Sequence, residues 1–347
     1  MNTEQFVFRG NAREWFGIWI VNLLLSVVTL GIYSAWAKVR RKKYFYNNTY
    51  VAGRNFDYHA TGLQILIGRA IVAVCFVAFS LLSAIPIVGI LMGLALVFVF
   101  PWLMVRSLMF NARMSSWSNV RFNFTGRIGR AFLVYLLYPF LTVLSLGIAY
   151  PVLDRAVKRF TVGHHRLGTA ELRMEAPLGP FYKAFFAAIL WVLLVLGGAL
   201  VVMGLGVEDL VLRLQSLEAD PVPGAFAVLG VYVVFFAAFL PAMFIYKAMT
   251  RNAVFNATRL KGGHGFRSSV TAGRLMWIAL SNMVVVVLTF GLMLPWAQIR
   301  MMRYLVAQTQ LVPGGSLDDF VDLMQRESSA LGDAYTDLEG VDLGLPI

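Results

Sequence analysis

Two pairs of long apolar runs set the main limit on how this chain can fold. Leu63–Leu82 and Ile87–Val105 are separated only by Ser83-Ala84-Ile85-Pro86, and Phe181–Gly204 and Ala225–Tyr246 form a second pair. About 20 apolar residues in a helix cross the hydrocarbon core of a bilayer, and each run has about this length. No Asp, Glu, Lys or Arg lies in the middle of a run, which gives little support to a proton relay or an ion-coupled path. The pairs predict helices that cross a membrane.

Composition agrees with a membrane protein and argues against nucleic acid as a partner. Of the 347 residues, 59% are hydrophobic and 14% are charged, and the mean hydropathy is +0.71. Soluble domains carry about 25% charged residues. The net charge of +12 comes from cations that stand beside apolar runs, where they favour contacts with anionic lipid headgroups. Membrane lipids are therefore the predicted partners, and protein partners stay open.

A motif centred on a glycine occurs three times, in the segments 16–44, 131–160 and 275–304. Each copy runs from an apolar stretch through the glycine and into a cluster of cations. The positions that recur are the glycines Gly31, Gly147 and Gly291, the tryptophans Trp36 and Trp296, the asparagines Asn22 and Asn282, and the cations Lys43, Arg159 and Arg303. We call these three stretches the glycine-turn segments.

The glycines and tryptophans have one favoured role each, whereas the asparagines and the cations have two possible roles. The glycines are predicted to permit a turn or close packing, and the tryptophans to anchor the chain at the membrane interface. The asparagines are candidates for a polar lining, although hydrogen bonds between helices explain them as well. The cations Lys43, Arg159 and Arg303 are candidates for contacts with lipid phosphates, although charges that retain loops in the cytoplasm would give the same pattern.

The same elements recur in the same order, which predicts an internal duplication. Paired spans, an Arg-x-x-x-Phe-Asn-Ala box and a glycine-turn segment follow one another twice. The boxes place Phe110 and Phe255 145 residues apart, and the second and third motif glycines are 144 apart. Agreement between two spacings makes chance similarity improbable.

The distribution of cations favours four membrane spans over seven. If the glycine-turn segments crossed the membrane, 16 Lys and Arg would lie on one side and 14 on the other. Membrane proteins normally concentrate these residues on the cytoplasmic side. If the segments enter and return or lie in the interface, 29 of the 30 cations share one side. Seven spans stay open as an alternative, because they would produce the inverted halves found in many transporters.

The segments between the apolar runs are predicted to be short cytoplasmic loops or hairpins, except for one acidic loop on the other side of the membrane. Met114–Arg130, Asp154–Arg173 and Lys261–Arg274 are polar or basic, and Gly206–Pro223 is acidic. Tyr46–Gly62 contains alternating polar and aromatic residues, which predicts a short hairpin or an irregular cap. The tail 316–347 is acidic; Ser316 and Asp319 predict the start of a short helix, and the remainder is too polar to pack.

No residue pattern points to catalysis or to a bound cofactor or metal. The four histidines are His59, His164, His165 and His264, and none has the spacing of a metal ligand set. The sequence lacks a nucleophile elbow, a phosphate loop and a dinucleotide-binding fingerprint. We therefore predict that the chain is not an enzyme and has no cofactor.

The first glycine-turn segment resembles the YjgN-like family of uncharacterised bacterial inner-membrane proteins. The resemblance is carried by Val28-Thr29-Leu30-Gly31-Ile32-Tyr33-Ser34, by Trp36-Ala37-Lys38-Val39-Arg40 with Tyr44, by Gly53, Phe56, Tyr58 and Gly62, and by the end Gly332–Asp337 with Val341-Asp342-Leu343. The second glycine-turn segment departs from it at Tyr150-Pro151-Val152. The resemblance implies a multi-pass protein of the bacterial inner membrane and supplies no activity.

The sequence thus predicts an all-α integral membrane protein. It would be a polytopic helical bundle with internal duplication, consisting of one transmembrane domain, 1–315, and an acidic tail, 316–347. Transport or lipid handling predicts a cavity lined by the glycine-turn segments and by Asn22 or Asn282. The alternative is a membrane scaffold without transport, which binds anionic lipid or a partner through its basic cytoplasmic face.

Fusions to the two termini test the predicted topology. We expect both termini to lie in the cytoplasm. A fluorescent protein fused at Met1 or at Ile347 should then fluoresce, and alkaline phosphatase fused at either position should be inactive. Termini on opposite sides would mean seven spans and would contradict the argument from cation distribution.

Overall fold

A computed structural model describes residues 3–202 and 221–327. Most of the predicted acidic loop Gly206–Pro223 and the tail beyond residue 327 lie outside the described residues. Within them, pairs of helices alternate with pairs of short strands along the chain.

The helices have the following bounds. They are α1 (Ala12–Val28), α2 (Ser34–Asn47), α3 (Gly62–Leu82), α4 (Pro86–Arg113), α5 (Ile128–Phe132), a π-helical turn (Leu133–Leu137), α6 (Tyr138–Leu144), α7 (Tyr150–Gly163), α8 (Gly179–Val202), α9 (Pro221–Asn256), α10 (Ala272–Leu288) and α11 (Leu294–Ala307). A further helix, here called the C-terminal helix, covers 317–327.

The strands lie between the helix pairs. They are β1 (Glu4–Gln5), β2 (Val7–Phe8), β3 (Thr49–Val51), β4 (Arg54–Tyr58), β5 (Ser115–Trp117), β6 (Val120–Phe124), β7 (His165–Leu167), β8 (Ala170–Met174), β9 (Thr258–Leu260), β10 (His264–Ser268) and β11 (Thr309–Val312). All join one antiparallel sheet in the order β1-β11-β10-β9-β8-β7-β6-β5-β4-β3-β2.

The prediction of an all-α fold is therefore wrong. Three segments that the sequence predicts to be loops or hairpins contain strands: β5 and β6 lie in Met114–Arg130, β7 and most of β8 lie in Asp154–Arg173, and β10 lies in Lys261–Arg274 directly after β9. Each strand has only three to five residues, so the apolar side chains that face the interior are too few to mark it in the sequence. The hairpin predicted as one possibility within Tyr46–Gly62 is β3–β4.

The N-terminal strand closes the sheet into a ring. Glu4 pairs with Leu311 of β11, whereas Val7 pairs with Tyr50 of β3. Between them, the Phe6 N–H donates to the Thr309 carbonyl at 3.2 Å. One extended segment thus pairs with both ends of the sheet, so that within residues 3–202 and 221–327 neither end is left as an open edge strand.

Every helix that leads into the ring ends in the same way. The hydroxyl of the first strand residue donates to the carbonyl four residues earlier, at 2.7–2.8 Å, in Thr49, Ser115, Thr258 and Thr309. In β7, His165 takes this place and its Nδ1 lies 2.5 Å from the Thr161 carbonyl. These bonds satisfy carbonyls that a helix end leaves without a partner.

The helix pairs leave the ring and return to it. Both ends of each glycine-turn segment join the sheet, as do both ends of α3–α4 and the outer ends of α8 and α9. Among the described residues, four helices are long and apolar enough to cross a membrane: Gly62–Leu82, Pro86–Arg113, Gly179–Val201 and Leu229–Asn256. Ile128–Leu144 and Ala272–Leu288 are apolar but shorter.

The three glycine turns have one geometry. After α1, the Leu30 N–H donates to the Val27 carbonyl and the Gly31 N–H to the Ser26 carbonyl, which is the pattern of a Schellman motif. The same two bonds form at Leu146-Gly147 and at Phe290-Gly291. The residue before each glycine has φ of 48–51°, and the glycines have φ of 87–91°.

The two Arg-x-x-x-Phe-Asn-Ala boxes occupy different positions. Two residues separate Ala112 from β5, whereas Ala257 directly precedes β9. As a result, Phe110 packs between α2 and α3, and Phe255 lines the interior of the ring. The internal duplication therefore stays a prediction.

Replacement of Gly31, the glycine of the first glycine turn, tests the free-energy cost of its left-handed backbone. A Cβ atom on Gly31 would meet no other atom within 4 Å, so only the left-handed backbone opposes Gly31→Ala. We expect a loss of about 1 kcal/mol and a lower midpoint of thermal unfolding in detergent. Gly17 of α1 is equally uncrowded but helical, so Gly17→Ala is the control and should be neutral or stabilising. Equal effects of the two variants would contradict this account.

Candidate functional site

The interior of the ring is an apolar cavity of about 300 Å³. Its wall comes from alternate residues of the strands, which lie opposite one another across the sheet: Phe56 and Trp117, Phe122 and Leu167, Leu172 and Leu260, and Phe266 and Leu311. Phe6 completes the wall where the ring closes. Side chains two apart on a strand share one face, so each hairpin contributes from both of its strands.

Three phenylalanines stack along one side of the cavity. The ring centroids of Phe6 and Phe56 lie 6.3 Å apart, and those of Phe56 and Phe122 lie 6.4 Å apart, with nearly parallel planes. Such offset pairs are favoured by the charge distribution of the rings. The wall is therefore preformed rather than dependent on a ligand for its order.

The C-terminal helix covers one mouth of the ring. Val321 and Met324 are buried against the strands, and Leu317 and Phe320 line the cavity. Ser316 Oγ accepts from the Asp319 N–H at 3.2 Å at the start of this helix. The first third of the acidic tail is thus packed, because four apolar side chains recur at helical spacing between its acids.

Charged and polar contacts hold the same helix on the rim. Arg54 donates to Asp318 at 2.6 Å, and the Gln325 side chain donates to the Ser118 carbonyl at 2.9 Å. Thr169 donates to Glu327. The partners belong to three different hairpins, so the helix is fixed across the mouth.

A second cavity, of about 460 Å³, lies at the other mouth, beneath the helices. It shares Phe6, Phe56 and Phe122 with the first cavity. Its remaining wall is contributed by Phe45 and Tyr46 of α2, Leu108 and Asn111 of α4, Met302 of α11, and residues at the ends of the strands. We call it the vestibule.

A third cavity, of about 530 Å³, opens between α2, α10 and α11. It shares Phe45 and Met302 with the vestibule, and it adds the polar side chains Arg41, Gln298 and Asn282. We call it the lateral opening. Shared walls place the ring cavity, the vestibule and the lateral opening in succession, from a lining that is apolar except for Thr258 and His264 to one that is partly polar.

The two predicted polar residues have different surroundings. Asn282 is buried; its Nδ2 donates to the Ala297 carbonyl at 3.0 Å and its Oδ1 accepts from Arg300 at 2.9 Å. Asn22 is buried in α1, where its Oδ1 has no hydrogen-bond partner among the described residues. Only Asn282 belongs to the walls of the three cavities described above.

The tryptophans of the motif are packed between helices. The indole of Trp36 stacks on Tyr33 at 6.1 Å and lies so close to α3 that a Cβ on Gly62 would meet it at 2.4 Å. Trp296 carries the guanidinium of Arg300 at 5.2 Å from its ring centroid. Both side chains are partly buried.

The three candidate cations are exposed and do not form one site. Lys43, Arg159 and Arg303 belong to α2, α7 and α11, which enter the ring at different hairpins. Arg303 donates to the Gly10 carbonyl at 2.9 Å, at the end of the closing strand. Among residues 3–202 and 221–327, no three His, Cys, Asp or Glu side chains are grouped so as to hold a metal ion.

The residues that line the ring are not among the predicted site residues. The sequence does carry a signal for them, because one spacing of apolar residues recurs after helices of unequal length: Val51-x4-Phe56, Trp117-x4-Phe122 and Leu167-x4-Leu172. The spacing is that of a tight hairpin, since Ala52-Gly53 and Ser118-Asn119 have positive φ at both turn positions.

Together these features define a class: helical membrane proteins in which the helix pairs stand on a closed antiparallel sheet with an apolar interior. The chain matches the family described as bacterial protein of unknown function (DUF898) over residues 3–338, and it belongs to that family. This confirms the resemblance read from the first glycine-turn segment.

Three relatives of this chain carry the name of an inner membrane protein. The chain is 26% identical over 359 residues to the inner membrane protein YjgN of Salmonella typhimurium strain LT2, covering 91% of this chain and 90% of that protein. It is 30% and 31% identical over 152 residues to proteins of the same name from Escherichia coli O157:H7 and K12, covering 43% of this chain and 38% of each. No solved structure matches the chain.

A histidine lies at the covered mouth of the ring, in contact with the C-terminal helix. His264 is buried, and its Nδ1 accepts from the Gly314 N–H at 3.2 Å. Its ring meets Phe320 of the C-terminal helix edge-on, with centroids 4.7 Å apart. Burial lowers the pKa of His264 below its ordinary value, because the charged imidazolium is poorly solvated there.

Acidification is expected to loosen the C-terminal helix. With a folded-state pKa below the unfolded value of about 6.5, the stabilisation by neutral His264 is complete above pH 6.5 and is lost as the pH falls through the folded pKa. Hydrogen exchange of 317–327 should therefore be faster at pH 5 than at pH 7, after correction for intrinsic rates. His264→Phe should weaken this dependence.

His59→Gln is the control for the acid effect. Burial also lowers the pKa of His59, but this residue follows β4 at the helix side of the ring. The variant should retain the response of the C-terminal helix to acid. A response that His264→Phe leaves unchanged would contradict the assignment to His264.

Proposed function

We propose that this membrane protein handles lipid by accepting the apolar chain of a membrane amphiphile into its ring. The succession of ring cavity, vestibule and lateral opening carries the proposal. An apolar chain would enter between α2, α10 and α11 and extend toward the stacked phenylalanines. The polar end would stay near Arg41, Gln298 and Asn282 of the lateral opening.

The physical reason is that an apolar cavity gains from an apolar occupant. Cavities lined only by aliphatic and aromatic side chains stay dry and bind small hydrocarbons. Each methylene removed from water contributes about 0.8 kcal/mol. A chain drawn from the bilayer gains less, since lipid is already apolar, so the ring suits transient holding and release rather than permanent binding.

We propose a multi-pass arrangement with four spans to support this activity. The ring with its rim charges would lie on the cytoplasmic side, with α3, α4, α8 and α9 crossing the bilayer. Residues 4–8 and 309–312 are both part of the ring, which would put both ends of the chain on one side. The predicted duplication would then relate two halves of like orientation.

The tips of the glycine turns support their insertion into lipid. Leu30, Leu146 and Phe290 are 95%, 93% and 96% exposed and adopt an unfavourable left-handed backbone. Apolar side chains in such positions would be costly in water and are suited to hydrocarbon. With 17 residues, α1 and α10 extend about 25 Å, which is less than the core thickness of about 30 Å.

The alternative is a scaffold that binds anionic lipid or a partner through its basic face. Exposure of Lys43, Arg159 and Arg303 around the ring supports it. A scaffold has no need of an apolar path into the ring, so occupancy of the ring cavity by a chain discriminates between the two functions.

Photocrosslinking from inside the ring tests the proposal. Phe122 is replaced by p-benzoylphenylalanine in full-length protein within cell membranes, and adducts are identified by mass spectrometry. Its neighbour Asn123 is exposed on the outer face of the same strand and serves as the control. We expect a lipid-sized adduct at position 122, at least tenfold more than at position 123.

Phe266, on the opposite part of the ring, provides a second probe position if the first replacement impairs folding. A probe that reacts only with neighbouring protein at both positions, in protein that remains monodisperse, would overturn the proposal. It would leave the scaffold as the favoured function.

A further inference from the structure

The two pairs of long helices are built differently. α8 and α9 pack along one another, and the Trp191 indole N–H of α8 donates to the Ala237 carbonyl of α9 at 3.1 Å. α3 and α4 touch only sparsely and enclose a cleft of about 690 Å³. We call this the α3–α4 cleft. It has no lining residue in common with the three cavities described above except Asn111.

Three cations line the cleft within its half that faces the ring. Arg69 is seven residues from the start of α3 and Arg106 is seven from the end of α4, so both lie about 10 Å from the sheet along their helices. Lys38 of α2 joins them in the wall. None forms a salt bridge within the described residues, and no Asp or Glu lines the cleft.

Cations without an acidic partner favour the binding of an anion. Arg69 donates to Ser34 Oγ, and Arg106 lies over the Trp102 ring at 5.5 Å, which leaves most guanidinium N–H donors of both residues available. Like charges so placed repel one another, and a phosphate among them would reverse the sign of the interaction.

Toward the ring, Gln64, Ser107 and Asn111 also line the cleft, and beyond the cations its walls are apolar. Val72, Ala73 and Phe76 of α3 and Leu103 of α4 line it farther from the ring than the cations. Cations at the headgroup level followed by apolar walls match the order of groups in a phospholipid. Because an open cleft between two spans cannot stay empty in a bilayer, an acyl chain is the natural filling.

We infer that the α3–α4 cleft is a binding site for one anionic phospholipid. The headgroup phosphate binds Arg69, Arg106 and Lys38, and one acyl chain lies along Val72, Ala73 and Phe76. A net negative headgroup is preferred to a zwitterionic one, because the ammonium of the latter would face the same cations. The site is independent of the lipid handling proposed for the ring.

The corresponding region of the other helix pair has a different charge balance. A cavity between α7, α8 and α9 also contains cations, Lys158 and Lys247. There Asp154 accepts from Lys158 and from the Tyr246 hydroxyl, each at 2.9 Å. This carboxylate supplies the negative charge from within the protein, so this pair provides matched controls.

Lipid binding to the purified full-length protein tests the site. Native mass spectrometry from detergent would compare phosphatidylglycerol with phosphatidylcholine of the same chains. We expect preferential retention of a single phosphatidylglycerol, and about 30-fold weaker binding in Arg69→Gln/Arg106→Gln, since each cation near the surface contributes about a fivefold factor. Lys183→Gln/Lys247→Gln removes two exposed cations from α8 and α9 and should leave this lipid bound.

A cleft-filling variant tests the acyl chain separately. Ala73→Phe keeps all three cations and should also expel the lipid, whereas inorganic phosphate at millimolar concentration should not displace it from the parent protein. Four results would each overturn the proposal: equal loss of lipid in both charge variants, equal binding of the two lipids, displacement of the lipid by phosphate alone, or a protein dimer in place of the lipid adduct. Thermal unfolding verifies that each variant is folded. The crosslinking experiment at Phe122 tests the ring alone, so its outcome does not depend on the results for the α3–α4 cleft.

Discussion

Backbone hydrogen bonding between the two ends of the chain is the constraint on which the structure depends. β1 pairs with β11 and β2 with β3, so residues more than 300 apart complete one ring. Strands this short have little stability as isolated hairpins. Closure satisfies their donors and acceptors, and it also fixes where each helix pair begins. The helices can therefore differ in length while their ends stay at one mouth of the ring.

The ring also explains why a protein rich in apolar residues has two kinds of apolar surface. Side chains of the long helices face outward and suit contact with lipid; Val72 and Phe76, for example, are 60% and 67% exposed. Side chains of the ring face inward and enclose a cavity that the C-terminal helix covers. Lipid handling in the ring and anionic lipid in the α3–α4 cleft would use these surfaces separately, one by enclosing a chain and the other by filling a gap between spans.

Much of the helical layer could be predicted from residue patterns. The two long pairs were recognised because each run is long and continuous, and the four long apolar helices of the structure lie at those places. The glycine turns were recognised because one backbone geometry at Gly31, Gly147 and Gly291 needs the same residue three times. The ring, with Phe6, Phe56 and Phe122, does not follow from these patterns, because strands of two to five residues have no periodicity of their own. The α3–α4 cleft does not follow from them either, since Arg69 and Arg106 are 37 residues apart in the sequence.

The sequence by itself determined that this chain belongs in a membrane, where its turns fall and which family it resembles. These properties follow from hydrophobicity and from local backbone preference, which act within about 20 residues. Only the tertiary structure decided that the connecting segments form one closed sheet, that Asp318 meets Arg54, and that the cations of α2, α3 and α4 share a cleft. Those relations depend on hydrogen bonds and packing between distant segments, and local composition does not encode which distant segments will pair.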